Sequence, residues 1–250
     1  MDGLTSTPAI VLVLGGLCVA AGALLGGLSG FGYGLVATPL LLVLGLPLPL
    51  VVATNMLLGG STRAMAAWTF RGFVAPRRVA ALIVGTLPGV LVGLLVLEAV
   101  DRDRLRQAVG AVVIAGAVAM MAARGRATSA EWGRGPAGFV GFLGGGLGVT
   151  TSLNGVPPVL MYTWEGASPR RMVADLSVFF VASNAIVALL LLGTRSAPAG
   201  PVLGLFLLWL PGVLLATYLS NRLVDRIPEA QFRRLVLGIV LLGGLTALLS

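Results

Sequence analysis

Residues 142–160, FLGGGLGVTTSLNGVPPVL, place helix-breaking residues inside a stretch that begins like a membrane helix. Three consecutive glycines are followed by a Thr-Thr-Ser cluster, an asparagine and two adjacent prolines. Irregular backbone at membrane depth is tolerated only where it is buried in protein or lines a water-filled cavity. The stretch therefore predicts a broken helical hairpin and a candidate binding segment.

The composition of the whole chain indicates an integral membrane protein. Of the 250 residues, 57% are hydrophobic and 10% are charged, with a mean hydropathy of +1.01, whereas a soluble domain is about one quarter charged. The net charge of +8 comes from 17 arginines against 9 acidic residues, and an excess of arginine in a membrane protein is typical of cytoplasmic loops. No nucleic-acid partner is expected; the expected partners are the lipid bilayer and a small anionic substrate.

The residue types that are scarce narrow the possible chemistry. The chain contains no histidine, no lysine and a single cysteine, Cys18. The absence of histidine excludes His-ligated zinc and Ser-His dyads, and the absence of lysine excludes Ser-Lys pairs. We therefore expect no enzyme activity, no cofactor and no metal site.

Long apolar runs predict an all-α protein with about ten helical elements. A spanning helix needs about 20 apolar residues. Such runs lie at about 9–27, 50–70, 78–98, 105–123, 136–150, 169–193, 201–220 and 231–249. Two shorter elements, at about 34–46 and 157–165, follow glycine-rich breaks.

The placement of arginine predicts how these elements are oriented. If each broken pair returns to the side from which it came, twelve arginines fall on one face and four on the other. The positive-inside rule makes the first face cytoplasmic, so that both termini lie outside. The larger group is Arg71, Arg77, Arg78, Arg124, Arg126, Arg134, Arg170, Arg171, Arg222, Arg226, Arg233 and Arg234.

The two halves of the sequence resemble each other. At an offset of 118, the residues Gly26, Gly27, Gly30 and Pro39 fall on Gly144, Gly145, Gly148 and Pro157. At an offset of 121, Gly45 meets Gly166 and Ala53 meets Ala174. Five elements in each half is an odd number, so the halves are predicted to have inverted topologies. We expect a first transmembrane repeat at 1–123, a cytoplasmic linker at 124–135 and a second repeat at 136–250.

Inverted-repeat transporters bind their substrate near midplane, where discontinuous helices meet. The hydroxyl and amide side chains of 150–154 are predicted to cap a helix N-terminus, whose N–H groups attract an anion. Glycines at every fourth position also fit simple close packing of helices. The candidate substrate-binding residues are Ser29, Gly30, Gly32, Thr38, Thr54, Asn55, Arg63, Thr150, Thr151, Ser152, Asn154, Ser177 and Asn184.

Two charged residues lie inside predicted spans. Arg63 precedes Arg71 by eight residues, which places it roughly 12 Å deeper along a helix. A guanidinium at that depth is costly unless it is paired or hydrated. Its parallel N–H donors suit an oxyanion, so Arg63 is a candidate anion contact. The alternatives are that its side chain extends to the membrane interface or that it forms a structural ion pair. Asn184 is its counterpart at offset 121. Asp175 is either a partly solvated partner of Arg171 or a coupling carboxylate.

The duplicated order of a glycine-rich break, a proline, a turn glycine and a polar helix start resembles the sulfite exporter TauE/SafE family. The first copy runs from Gly26 through Pro39 and Gly45 to Ala53-Thr54-Asn55, and the second from Gly144 through Pro157 and Gly166 to Ala174-Asp175-Leu176-Ser177.

The resemblance implies a multi-pass transporter of the bacterial inner membrane that carries sulfite or organosulfonates, with alternating access as the expected mechanism. A carrier or channel for another small solute or a metal cation is an alternative, as is a non-transporting partner subunit. For a metal cation, Asp175 and exposed carbonyls would be the ligands.

Overall fold

The computed structural model describes residues 8–29, 33–101 and 133–223, together with isolated residues between 104 and 118. In these ranges all regular structure is helical, as predicted. The α-helices are α1 (Ala9–Ser29), α2 (Tyr33–Val43), α3 (Leu48–Thr69), α4 (Pro76–Ala99), α5 (Arg134–Thr151), α6 (Val156–Trp164), α7 (Pro169–Gly193) and α8 (Ala199–Leu223). A short 3-10 turn, Arg71–Phe73, joins α3 to α4.

The described helices agree with the predicted elements in place and type. Four of them are long and apolar enough to cross a membrane, namely α1, α4, α7 and α8. The predicted elements at 105–123 and 231–249 lie largely or wholly outside the described residues. The division into two repeats with a linker at 124–135 stays a prediction.

The break between α5 and α6 has a clear local cause. Ser152 ends α5 in the left-handed conformation, with φ of 63°, and α6 begins four residues later at Val156. Pro157 and Pro158 follow at once; their fixed φ suits a first helical turn and they lack the N–H that an α5 continuation would need. The chain therefore stops one helix and starts another within a buried segment.

Matching turns follow the two short helices. Gly45 has φ of 82° and Gly166 has φ of 63°, the left-handed region that favours glycine. The N–H groups of Gly45 and Leu46 bond the carbonyls of residues 42 and 41, and those of Gly166 and Ala167 bond residues 163 and 162. The predicted pairing of Gly45 with Gly166 therefore has a structural counterpart. The pairing of the prolines does not, because Pro39 lies inside α2.

Helices of the two halves pack across each other. The main partners are α4 with α5, α3 with α7 and α1 with α8. Where α4 crosses α5, a side chain on Gly85 or Gly89 would overlap a carbonyl oxygen of the other helix, so only glycine permits this approach.

Where α1 crosses α8, a glycine of α1 faces a tryptophan of α8. The ring of Trp209 fills the space at Gly15, where a β-carbon would lie 2.6 Å from it. Trp209 also donates its indole N–H to the Leu12 carbonyl at 3.0 Å and is 4% exposed. Trp209 is therefore a buried packing residue and not an aromatic at the membrane interface.

Candidate functional site

A cavity of about 40 Å³ lies between the start of α2 and the break that separates α5 from α6. Its walls come from the start of α2, the middle of α3, the 152–156 segment and α7. Five predicted residues line it: Asn55, Arg63, Ser152, Asn154 and Asn184. The sequence prediction missed further lining residues, among them Tyr33, Gly34, Gly59, Thr62 and Phe180.

Arg63 supplies the positive charge of the cavity. Its Nη2 donates to the carbonyl of Gly26 at 3.1 Å, and its Cζ lies 5.7 Å from the ring centroid of Phe180. Among the residues that the structure describes, no carboxylate forms an ion pair with it. A guanidinium has five N–H donors, so a carbonyl and a ring leave several of them for a ligand.

Asn154 fixes the amide of Asn184. Its Nδ2 donates to Asn184 Oδ1 at 2.6 Å and to Ser183 Oγ at 2.8 Å. Because the oxygen of Asn184 is engaged in this way, its NH2 group points to the opposite side, where a β-carbon on Gly59 would lie 3.2 Å from Nδ2. The second half therefore presents a neutral donor to the cavity that Arg63 lines.

A hydrogen-bonded chain orients the polar wall in the first half. The Tyr33 hydroxyl donates to Asn55 Oδ1 at 3.1 Å, and Asn55 Nδ2 donates to Thr38 Oγ1 at 3.2 Å. All three side chains are buried. Thr38 does not line the cavity; it holds the amide of a residue that does.

The predicted capping role of residues 150–154 is wrong. The helix α5 continues through Thr151, so the hydroxyls of Thr150 and Thr151 donate back to the carbonyls of residues 146 and 147, at 2.7 and 2.6 Å. The N-cap of α6 is Gly155, and no side chain caps it. Since the two prolines in the first turn lack N–H groups, α6 contributes few backbone donors.

Two further predicted residues, Thr54 and Ser177, lie outside the cavity lining. Thr54 and Ser177 are buried on α3 and α7, and the Thr54 hydroxyl has no hydrogen-bond partner among the described residues. Ser29 is the last residue of α1. Gly30 and Gly32 lie outside the described residues.

Asp175 belongs to a second polar cluster, which does not line the cavity. Its Oδ1 accepts the Ala75 N–H at 2.7 Å, its Oδ2 accepts the Tyr162 hydroxyl at 2.8 Å, and Arg171 Nε lies 3.8 Å from Oδ2. Asp175 is 0% exposed. The expected partly solvated pair is therefore a buried carboxylate.

Arg78 completes this second cluster. Its guanidinium forms a buried ion pair with Glu165 and lies 4.8 Å from the ring centroid of Tyr162. The cluster ties the start of α4 to the end of α6 and the start of α7. In the described part of the chain, no three His, Cys, Asp or Glu side chains lie together as a metal site would require.

The walls of the cavity follow the repeat of the sequence. Lining residues that are 121 positions apart form five pairs: Tyr33 with Asn154, Gly34 with Gly155, Leu35 with Val156, Gly59 with Phe180, and Arg63 with Asn184. The offset that pairs Arg63 with Asn184 thus also leads from the predicted Asn154 to Tyr33. Applying the offset of 121 to Asn154 would have predicted Tyr33 as a lining residue, which the search for polar residues missed.

Comparison with known proteins identifies a family. A family model described as Sulfite exporter TauE/SafE matches residues 14–247, which is nearly the whole chain. No curated protein and no solved structure matches the chain.

Proposed function

Because this chain belongs to the sulfite exporter TauE/SafE family, a family of membrane transporters, we propose that it carries sulfite or organosulfonates across the bacterial inner membrane as a secondary transporter. The observation that carries this proposal is Arg63, a guanidinium in a cavity between the two breaks with no carboxylate partner among the described residues. An arginine inside a membrane protein is costly unless something neutralises it. In this proposal the transported anion does so.

The polar groups around Arg63 suit a small oxyanion. Arginine binds oxyanions through parallel N–H donors, and the NH2 group of Asn184 adds a neutral donor from the opposite wall. Both walls lie close to the interruption of a helix. A tetrahedral or pyramidal oxyanion would thus be held from both halves.

Shared walls also support alternating access. The first half contributes α2 and α3, and the second contributes the 152–156 segment and α7. Rocking of one half against the other around a fixed site is the general scheme for inverted-repeat carriers. In this scheme the two halves have inverted topologies, and the site opens to one side of the membrane at a time.

The arginine-rich loops are proposed to face the cytoplasm, with both termini outside. Arg170 lies 6.0 Å from the ring centroid of Phe73, and Asp175 bonds the backbone of Ala75. The loops before α4 and α7 therefore share one end of the molecule, as the predicted distribution of arginine requires.

A metal cation fits the cavity less well than an anion. Asp175 was the carboxylate predicted for a cation site, and it lies outside the cavity lining with both oxygens hydrogen-bonded. Its role as a coupling carboxylate stays a prediction.

Uptake of labelled sulfite into proteoliposomes tests the proposal. We expect Arg63→Ala to lower the initial rate by at least about 30-fold, corresponding to about 2 kcal/mol for a lost partner of a buried charge. Arg63→Lys should retain part of the activity because it keeps the charge but not the fork. The matched control is Arg71→Ala, because Arg71 is exposed, bonds the Trp68 carbonyl, lies 4.4 Å from the centroid of the Trp68 ring and does not line the cavity.

The proteins must be reconstituted in equal amounts, which gel quantification of the vesicles establishes. Full sulfite transport by Arg63→Ala would refute the role of the guanidinium. An equal loss in Arg71→Ala would show that the effect comes from overall positive charge and not from the cavity.

A further inference from the structure

We propose that the hydroxyl of Ser152 is a third contact to the transported anion, in addition to Arg63 and Asn184. The inference rests on the proposed function and adds a binding residue to it. Two properties of Ser152 lead to it. Its side chain is buried without a hydrogen-bond partner, and its backbone adopts a conformation that favours glycine.

The hydroxyl of Ser152 is a buried polar group in the wall of the cavity. The residue is 5% exposed and is part of the cavity lining. Among the described residues, no donor or acceptor bonds its Oγ. Because an unpaired polar group is costly away from water, nearly all buried hydroxyls in proteins have a partner. The hydroxyl of Ser152 is therefore a candidate contact for a ligand that enters the cavity.

The neighbouring polar side chains differ from Ser152 in this respect. The hydroxyls of Thr150 and Thr151 donate to carbonyls of their own helix. The amide of Asn154 donates to two side chains of α7. Within residues 150–154, every polar side chain except that of Ser152 thus bonds another group of the protein.

The backbone makes glycine the more stable residue at this position. Ser152 has φ of 63°, and its N–H bonds the Gly148 carbonyl at 3.0 Å. Glycine is the usual residue at such a helix end, because a β-carbon is unfavourable in the left-handed region. A glycine would remove both the unfavourable conformation and the unpaired hydroxyl. Ser152 therefore lowers stability at a point where its side chain lines the cavity.

The other left-handed residues show how unusual this is. Gly45 and Gly166 are glycines, and Arg195 is exposed in the turn between α7 and α8. Among the described residues, Ser152 is the one buried non-glycine residue with a positive φ. Backbone strain of this kind is concentrated at ligand sites, where the surrounding structure maintains it.

The first half of the chain holds this strained residue in place. A β-carbon on Gly34, the second residue of α2, would lie 2.5 Å from the carbonyl oxygen of Ser152. The start of α2 therefore packs directly on the break between α5 and α6. The hydroxyl adds one neutral O–H donor at this break to the guanidinium of Arg63 and the amide of Asn184, which line the same cavity.

Kinetics of labelled sulfite uptake into proteoliposomes test the inference with two variants. Ser152→Gly and Ser152→Ala both lack the hydroxyl, so we expect each to raise the KM for sulfite by about 10-fold or more, as the loss of a hydrogen bond to a charged group predicts. Two substitutions are needed because glycine also frees the backbone, whereas alanine keeps the β-carbon.

Thermal unfolding in detergent without sulfite gives the second measurement. Ser152→Gly should raise the unfolding temperature by about 2–4 °C, because it relieves the left-handed conformation. Ser152→Ala should raise it less, because the β-carbon remains. The inference thus predicts that Ser152→Gly is more stable than the wild type and binds sulfite more weakly.

Arg195→Gly is the matched control. Arg195 has φ of 58°, is exposed and does not line the cavity. Its replacement by glycine relieves the same backbone conformation at a distant turn. We expect Arg195→Gly to raise the unfolding temperature as Ser152→Gly does and to leave the KM for sulfite unchanged.

The outcomes separate the inference from the proposed function. Sulfite uptake with an unchanged KM in Ser152→Gly and Ser152→Ala would overturn the inference alone. It would also be overturned if only Ser152→Gly raised the KM, which would trace the effect to the backbone, or if Arg195→Gly raised the KM equally. A wild-type protein that takes up no sulfite would overturn the proposed function and the inference with it.

Discussion

Arg63 and Arg78 are two arginines in apolar helices that differ in their partners. Each lies near an aromatic ring of the second half, Phe180 at 5.7 Å and Tyr162 at 4.8 Å. Arg78 also has a carboxylate, Glu165, in a buried ion pair. Arg63 has a backbone carbonyl instead and lines a cavity. The contrast teaches that a fixed carboxylate partner separates a structural arginine, Arg78, from the arginine proposed to bind a ligand, Arg63.

The physical reason is the cost of an unpaired charge in a low-dielectric surrounding. A fixed carboxylate neutralises Arg78 permanently and ties the start of α4 to the end of α6. A carbonyl compensates a guanidinium only in part. In the proposed function, the positive charge of Arg63 is therefore available to the transported anion.

The largest expected effect on stability is at Arg78. Arg78→Ala should lower the free energy of unfolding by about 3–5 kcal/mol, because it leaves Glu165 buried without its partner. Arg63→Ala should cost far less, since no described carboxylate loses a partner. Thermal unfolding of the purified proteins in detergent measures both.

A double variant controls for the charge. Arg78→Met with Glu165→Leu should recover most of the stability that Arg78→Ala loses, because replacing a whole buried pair by apolar residues is often neutral. Equal destabilisation by Arg63→Ala and Arg78→Ala would remove the distinction drawn between the two arginines.

The two buried tyrosines provide the next comparison. Tyr162→Phe removes a donor to the carboxylate of Asp175, whereas Tyr33→Phe removes a donor to the neutral amide of Asn55. We expect losses of about 1.5–3 kcal/mol for the first and about 0.5–1.5 kcal/mol for the second. Tyr33→Phe should also slow sulfite uptake, because Asn55 lines the cavity.

Unfolding and uptake assays on the same preparations distinguish the two tyrosines. A Tyr33→Phe protein that is destabilised more than Tyr162→Phe would place the stronger polar network in the cavity. That result would reverse the assignment of the structural and ligand-binding clusters.

The smallest effect is expected at Arg171. It lies 3.8 Å from Asp175, and about a third of its side chain is exposed. The 3.8 Å separation is longer than a hydrogen bond, and Ala75 and Tyr162 already bond both oxygens of Asp175, so Arg171→Ala should shift the unfolding temperature only slightly. A loss as large as that of Arg78→Ala would show that Asp175 depends on Arg171 more than on Ala75 and Tyr162.

The fold was predictable at positions where the residue type differs clearly from the apolar sequence around it. Gly45 and Gly166 mark turns because glycine adopts positive φ, and both turns are present. Arg63 and Asn184 stand out as polar residues in apolar helices, and both line one cavity. At these positions the residue type alone indicates the turn or the polar site.

The rest depends on tertiary contacts that no local pattern encodes. Phe180 is one aromatic residue among many apolar ones, so nothing in its neighbourhood indicates a cavity wall. Asp175 accepts a hydrogen bond from Ala75, 100 residues away, which only the packed helices bring close. Thr151 bonds back into α5 because the helix continues to Thr151, one residue beyond the predicted end of this element at 150.

The crossed packing of the helices has a consequence for how such a chain can be divided. The first helix of each half packs on the last described helix of the other, α1 on α8 and α5 on α4, while α3 meets its counterpart α7. The predicted division into two related repeats requires such reciprocal contacts. On that prediction, a half-length chain with the same packing would cover its glycine faces only by joining a second copy, as in a homodimer.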